Sequence, residues 1–222
     1  MVGFSIDSDD ENDTATWTYE TNQNLDFLGA NETITLQFKV KVKDDSGVGR
    51  GDEDNEKSSS ANKVVTITIT GTNDQPIVSN VAVSATETGG LEEVYTGTLL
   101  LKKDLDTTDI HTFQQSGIAE VSTTTESVVT DLVVVVNADG TYTVDGNFDA
   151  LADGEEATVT FQYTATDKSG NTNNNISEPA TVTLTVTGTN DAPTVEVETA
   201  SVIEDGTVSG TIVTADIDGT IA

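Results

Sequence analysis

The clearest order in the chain is a two-residue alternation, and it occurs twice. In VVTITITGTND (64–74), Val65, Ile67 and Ile69 alternate with Thr66, Thr68 and Thr70. In TVTLTVTGTND (181–191), Val182, Leu184 and Val186 alternate with Thr183, Thr185 and Thr187. Period two, with β-branched residues on both faces, predicts a strand with one face buried. Further upstream, ANETITLQFKVKVKDDSG (30–47) matches DGEEATVTFQYTATDKSG (153–170), two long alternating strands that each run into an Asp-x-Ser-Gly turn. Downstream of the first GTND turn, Glu87 in ATETGG matches Glu204 in VIEDGT. GTLLLKKDLD (97–106) matches GTIVTADIDG (210–219), which aligns Asp104 and Asp106 with Asp216 and Asp218. NADGTYTV (137–144) adds a hairpin, because Asp139-Gly140 suits the positive φ angles of a tight turn.

The chain therefore reads as one complete repeat, residues 75–191, flanked by two partial ones. Residues 1–74 carry the later strands of a unit, and residues 192–222 carry the first strands of another. Turn signals recur every ~8–12 residues with no helical periodicity, which predicts an all-β, antiparallel Greek-key β-sandwich repeated in tandem. A single β domain over all 222 residues is the alternative, and the strength of the repeat weighs against it.

Charge narrows the partners. There are 39 acidic and 9 basic residues, a net charge of −30. Nucleic acid and anionic membranes both require a basic face and are excluded as expected partners. Such a charge repels itself in a compact state, so bound cations or high external salt must compensate. No apolar run reaches the ~18 residues of a membrane span, so direct membrane insertion is not expected. No secretory signal pattern opens the chain at Met1-Val2-Gly3, which reads as the start of a fragment of something longer. There is no cysteine, hence no disulfide and no thiolate ligand.

The TxTxTxTGTNDAP phrase, the Glu-Asp-Gly loop and the Ala-Asp-x-Asp-Gly loop together resemble the VCBS or cadherin-like repeats of giant bacterial surface adhesins and RTX proteins. The resemblance covers essentially the whole chain. GTNDxP is its most specific element, and the GGxGxD nonapeptides of RTX calcium β-rolls are absent. The resemblance implies an extracellular, cell-surface protein of tandem cadherin-like sandwiches whose junctions bind Ca²⁺, acting in adhesion or biofilm attachment.

Calcium takes six to eight hard oxygens in flexible geometry, which carboxylates, Asn amides and backbone carbonyls supply. Pro76 and Pro193 fix φ and extend the residue before them, holding each linker taut. Chain path assigns Asn73, Asp74, Asp104, Asp106 and Asp167 to a first junction. It assigns Glu87, Asn190, Asp191, Asp216 and Asp218 to a second, with Glu204 repeating the role of Glu87 in the next unit. Asp and Asn are also ordinary turn residues that cap their own backbone. Their aligned recurrence in three loops is what favours calcium.

Other signals carry less. Arg50-Gly51-Asp52 holds the sole arginine, in a long polar loop (46–63), and reads as a solvated loop more readily than as an integrin-type ligand. His111 has no second histidine or cysteine to share a zinc ion with, and no nucleophile-elbow sequence exists. The acidic residues lie in repeated turns, so an enzyme is not expected. Trp17 aligns with Tyr142 and reads as a strand residue. The expected function is a calcium-stiffened extender of an adhesin. The alternative is a glycan- or peptide-binding module of the same adhesin, since the copies diverge at 116–136 and in the 46–63 loop. A halophilic surface-layer protein would spread carboxylates over its strand faces, which here carry Thr. The partial ends allow a last expectation: residues 192–222 of one chain complete residues 1–72 of a neighbour, or of itself.

Overall fold

The computed structural model describes residues 3–9, 14–21, 23–42, 61–125, 128–168 and 174–220. The Arg50-Gly51-Asp52 tripeptide and both Ser-Gly turns lie outside them. The described residues form strands β1 (Gly3–Asp9), β2 (Thr14–Glu20), β3 (Thr33–Val40), β4 (Lys63–Thr70), β5 (Ile77–Ser79), β6 (Val81–Thr86), β7 (Glu93–Thr98) and β8 (Leu100–Lys103). They continue as β9 (His111–Thr123), β10 (Thr130–Val136), β11 (Thr141–Asn147), β12 (Glu156–Asp167), β13 (Ala180–Thr187), β14 (Thr194–Glu196) and β15 (Val213–Ala215). The protein is all-β, as the alternation predicts, and no helix forms among the described residues.

Contacts divide the chain into two compact units. The first holds the residues up to Asp74 together with Leu105–Asp109; the second holds Gln75–Asp104, Ile110–Lys168 and Asn174 onward. In the second unit a sheet ordered β10-β11-β7 faces one ordered β6-β13-β12-β9. Alternate residues of β11, β12 and β13 point into the space between: Tyr142 and Val144, Val159, Phe161 and Tyr163, and Val182, Leu184 and Val186 are all within 2% of complete burial. Tyr142 meets Phe161 edge-on at 5.3 Å across the sandwich. The intervening threonines are more exposed, with Thr164 buried as the exception, so the period-two pattern is largely the packing itself. One pair departs from the antiparallel expectation. β6 runs parallel to β13, with Val81 beside Val182 and Thr86 beside Thr187. Tyr163 ties the short β5·β8 pair to this core, its hydroxyl donating to the Ser79 carbonyl and accepting from the Leu100 N–H at 3.2 Å.

In the first unit β1 pairs with β2 and β3 with β4. Phe4 stacks on Phe38 at 4.2 Å and on Trp17 at 6.0 Å, so Trp17 belongs to a strand face as expected. Val65, Ile67 and Ile69 alternate as Val182, Leu184 and Val186 do, but remain only half-buried. The repeat extends to single hydrogen bonds. The Gly29 N–H donates to Glu32 at 3.0 Å, and the Ala152 N–H donates to Glu155 at 3.1 Å. Gly71 and Gly188 then pass so close to that turn that an added Cβ would lie 2.2 Å from the Leu28 carbonyl and 2.3 Å from that of Leu151. No other residue fits there. This accounts for the glycine that opens each GTND turn.

Burial separates the two copies energetically. Leu184→Ala is expected to lower the stability of the second unit by about 2–5 kcal/mol. Ile67→Ala, at the aligned and partly solvated position, costs less. Urea unfolding curves of the two variants check this, and equal losses would contradict it.

Candidate metal centre

The second GTND turn follows β13, and Gly188 begins it. Glu87 directly follows β6, and its N–H donates to the Thr187 carbonyl at 3.0 Å, which carries the parallel ladder one residue beyond the strand. This places its side chain under the turn. Glu87 Oε1 accepts from the Thr189 N–H at 2.7 Å and from the Thr189 hydroxyl at 2.9 Å. Glu87 Oε2 is buried and has no hydrogen-bond partner. Two more carboxylates arrive from other elements. Asp191 comes from the turn itself, and Asp149 from the loop after β11, where the Asn147 side chain accepts its N–H at 3.0 Å. Ligand oxygens of Glu87, Asp149 and Asp191 lie within 4.8 Å of one another.

The loop after β15 completes the surroundings. Asp218 Oδ2 accepts from the Asp191 N–H at 3.0 Å. Asp191 Oδ2 and Asp216 Oδ1 are buried without a hydrogen-bond partner. Gly89, at φ +72, sits where a Cβ would come 3.1 Å from the Asp191 carboxylate, so the loop beside Glu87 leaves that oxygen room. Glu93 holds this loop, taking the N–H and hydroxyl of Thr88 and the hydroxyl of Tyr95.

The electrostatics agree with the geometry. Burial pushes the Glu87 carboxyl above its ordinary range, the Thr189 bonds oppose that, and Asp191 and Glu93 add to it. Burial raises Asp191, helped by Asp149, Asp218 and Asp216. Asp216 is raised by burial and by Asp218. Every charge acting on these groups is another carboxylate. Buried anions without a cation are costly, and a divalent ion is the compact way to neutralise several at once. Ligands on opposite sides of one Ca²⁺ are about 4.8 Å apart, so the cluster spans what a single ion requires. With no thiolate and only oxygens present, the donor set is that of a hard cation.

The sequence-derived sets fall as follows. Of the second set, Glu87, Asp191, Asp216 and Asp218 come together. Asn190 is exposed, with its amide turned back to donate to the Asp191 carbonyl at 2.6 Å. Of the first set, Asn73, Asp74 and Asp106 belong to the first unit and Asp104 and Asp167 to the second. The Asp74 N–H donates to Asp106 Oδ2 at 2.7 Å, the same bond that Asp191 makes to Asp218. The Asn73 amide donates to the Asp74 carbonyl at 2.9 Å, as Asn190 does to Asp191. In the second unit the Asp104 carboxylate lies 2.6 Å from His111 Nε2, and Asp167 is buried at the end of β12. Glu204 is exposed in a turn.

Asp149 is the carboxylate of this cluster that sequence reasoning passes over. Its signal is a second alignment, NLDFLGANE (24–32) with NFDALADGEE (147–156), in which Asp26 matches Asp149. The Asp26 N–H donates to Asn24 at 2.8 Å just as that of Asp149 does to Asn147. A lone Asn-x-Asp reads as a self-capping turn.

No protein-family profile and no curated protein matches this chain. Solved structures resemble it distantly, two of which are as follows. Human protocadherin-24 EC1-2 aligns at 12% identity over 86% of this chain and 83% of its own, with a TM-score of 0.37. An endo-fucoidan hydrolase of glycoside hydrolase family 107 aligns at 13% identity over 84% of this chain, with a TM-score of 0.26; the alignment covers 28% of the hydrolase.

Carboxyls raised in the folded state oppose folding once they ionise. Without a divalent ion, the contribution of Glu87 is most favourable below the ordinary carboxyl range near pH 4 and is lost as pH rises through its elevated value. Glu87→Gln removes this term while retaining an oxygen for Thr189. In chelator, the variant is expected to melt above the parent at pH 7, with the gap closing toward pH 4. Thermal melts across that range measure it, and a variant less stable at pH 7 would contradict the reading.

Proposed function

We propose that this chain is a Ca²⁺-binding, extracellular segment of a bacterial surface adhesin, built of VCBS or cadherin-like sandwiches and stiffened by calcium between neighbouring repeats. The observation that carries the reading is the buried, unpartnered Glu87 Oε2 on a residue whose carboxylate comes within 4.8 Å of those of Asp149 and Asp191. Glu87, Asp149 and Asp191 would hold the ion, and Asp216 and Asp218 would bring the following loop to it. Calcium would supply the positive charge that this chain's side chains do not place there. Each group comes from a different element: the end of β6, the loop after β11, the linker after β13 and the loop after β15. An ion among them would pin the linker to both the sandwich before it and the strands after it. That is what a shaft under tension requires, and it needs no catalytic group or ligand pocket. A net charge of −30 adds to the demand for cations.

Extracellular modules of this kind bind Ca²⁺ at roughly 10⁻⁴–10⁻³ M. At ~10 mM Ca²⁺, one such site adds on the order of 1.4–2.7 kcal/mol to the folded state. The midpoint of thermal unfolding should therefore rise by roughly 3–11 °C in Ca²⁺ over chelator. Mg²⁺ at matched ionic strength should give much less. Asp149→Asn with Asp191→Asn should remove the Ca²⁺ increment while leaving the midpoint in chelator unchanged or higher. A midpoint that follows ionic strength alone would return these turns to a structural role.

A further inference from the structure

Threonine holds the outward positions of the central strands of the second unit: Thr183, Thr185 and Thr187 on β13, and Thr143 on β11. β10 breaks that rule. Its outward residues are Val133 and Val135, 54% and 45% exposed, inside an uninterrupted run of four valines. β10 also ends its sheet, since it pairs only with β11 among the described residues. The hairpin fixes where its unused hydrogen-bonding groups point. The Asn137 N–H donates to the Thr141 carbonyl at 2.8 Å. Antiparallel pairs alternate, so Val135 with Thr143 and Val133 with Asp145 exchange the next bonds. Val134 and Val136 therefore turn N–H and carbonyl to the open edge, while their side chains pack against the core.

The facing sheet treats its edge differently. It ends in β9, where the register against β12 slips between Thr160 and Gln162 and Gly117 takes φ +87. A bulge in mid-strand blunts an edge. In β10 the slip comes before the valines, between Thr130 and Val133, with Asp131 at φ +56. Val133–Val136 stay in regular register. Sheets ordinarily protect such an edge with a charge, a proline or a bulge, because an uncharged β-branched strand is ready to pair.

Charge selects what can pair. From Asp104 to Asp167, which includes β9 to β12, there is no lysine or arginine. Asp131 begins β10 and Asp139 follows it, and both are exposed. Bonds from the Thr141 hydroxyl and N–H hold the Asp139 carboxyl below its ordinary range, so it is an anion at neutral pH. On the outer face Asp145 lies between Val133 and Val94. A second copy of this chain would bring the same acids to the same edge, and like charges across a strand pair are unfavourable. We propose that the β10 edge accepts an extended segment of a partner protein, with β-branched or aromatic residues at its centre and lysine or arginine at its ends. The segment adds a strand to the sheet. Its main chain bonds Val134 and Val136, its centre covers Val133 and Val135, and its ends meet Asp131 and Asp139.

A random-peptide library displayed on phage, selected on the full chain in chelator, tests this. The peptides recovered are expected to carry that pattern. As free peptides they should bind two variants at least tenfold more weakly than the parent. Val134→Pro removes an N–H from the open edge and leaves the β11 bonds in place. Val135→Lys, at an exposed position, sets a cation against the incoming basic segment, and a melting midpoint near the parent's shows that the fold is kept. Thr185→Lys, which adds the same charge to the outer face of the other sheet, should bind as the parent does. Selection of no peptide, of peptides without basic residues, or of peptides that bind Val135→Lys as tightly as the parent would each overturn the proposal. So would sedimentation showing that the chain alone dimerises in chelator and that Val135→Lys dissolves the dimer, because the edge then belongs to a second copy. Chelator is present throughout, so failure here leaves the calcium reading untouched.

Discussion

Glu87, Asp149 and Asp191 bring three carboxylates within 4.8 Å of one another, with Glu87 buried and Asp191 partly so. Like charges in that position repel unless a cation arrives, a proton binds or the groups separate. Separation is blocked by the backbone. The Thr189 N–H and hydroxyl clamp Glu87, the Asn147 side chain caps the Asp149 loop, and the Asp191 N–H is held by Asp218. The repulsion is therefore built into the fold, and neutralisation is what remains. A divalent cation can serve several oxygens at once, whereas a proton serves one.

The same arrangement answers why the chain uses one turn twice. Gly71 and Gly188 admit a carbonyl where a side chain would collide. Asn73 and Asn190 close on the next carbonyl, and Asp74 and Asp191 offer their N–H to the second acidic residue of the loop downstream. Each residue type in GTND performs a separate geometric task. The turn thus fixes the position of its Asp in the same way in both copies.

The strands depend on partners in a way their sequences do not reveal. β6 and residues 198–203 share alternation and position, yet only β6 has β13 beside it. A strand's hydrogen bonds are all to its neighbours, so an isolated β-type sequence has no local means of holding its conformation. The expected opening strands of a third repeat consequently reduce to β14 and β15, which have each other.

The sequence by itself determined the strands, their faces and the repeat, because period-two burial and turn chemistry act between residues close in the chain. It also marked most of the acidic positions, since Glu87, Asp191, Asp216 and Asp218 recur in aligned loops. Only the tertiary structure decided which carboxylates meet. Asp149 stands far from Asp191 in sequence, and its short Asn-x-Asp signal is indistinguishable from a self-capping turn until the sheet ends bring the loops together. It also turned Asn190 back onto the Asp191 carbonyl and set β6 parallel to β13. Those outcomes depend on which elements pack side by side, and no local pattern along the chain encodes that.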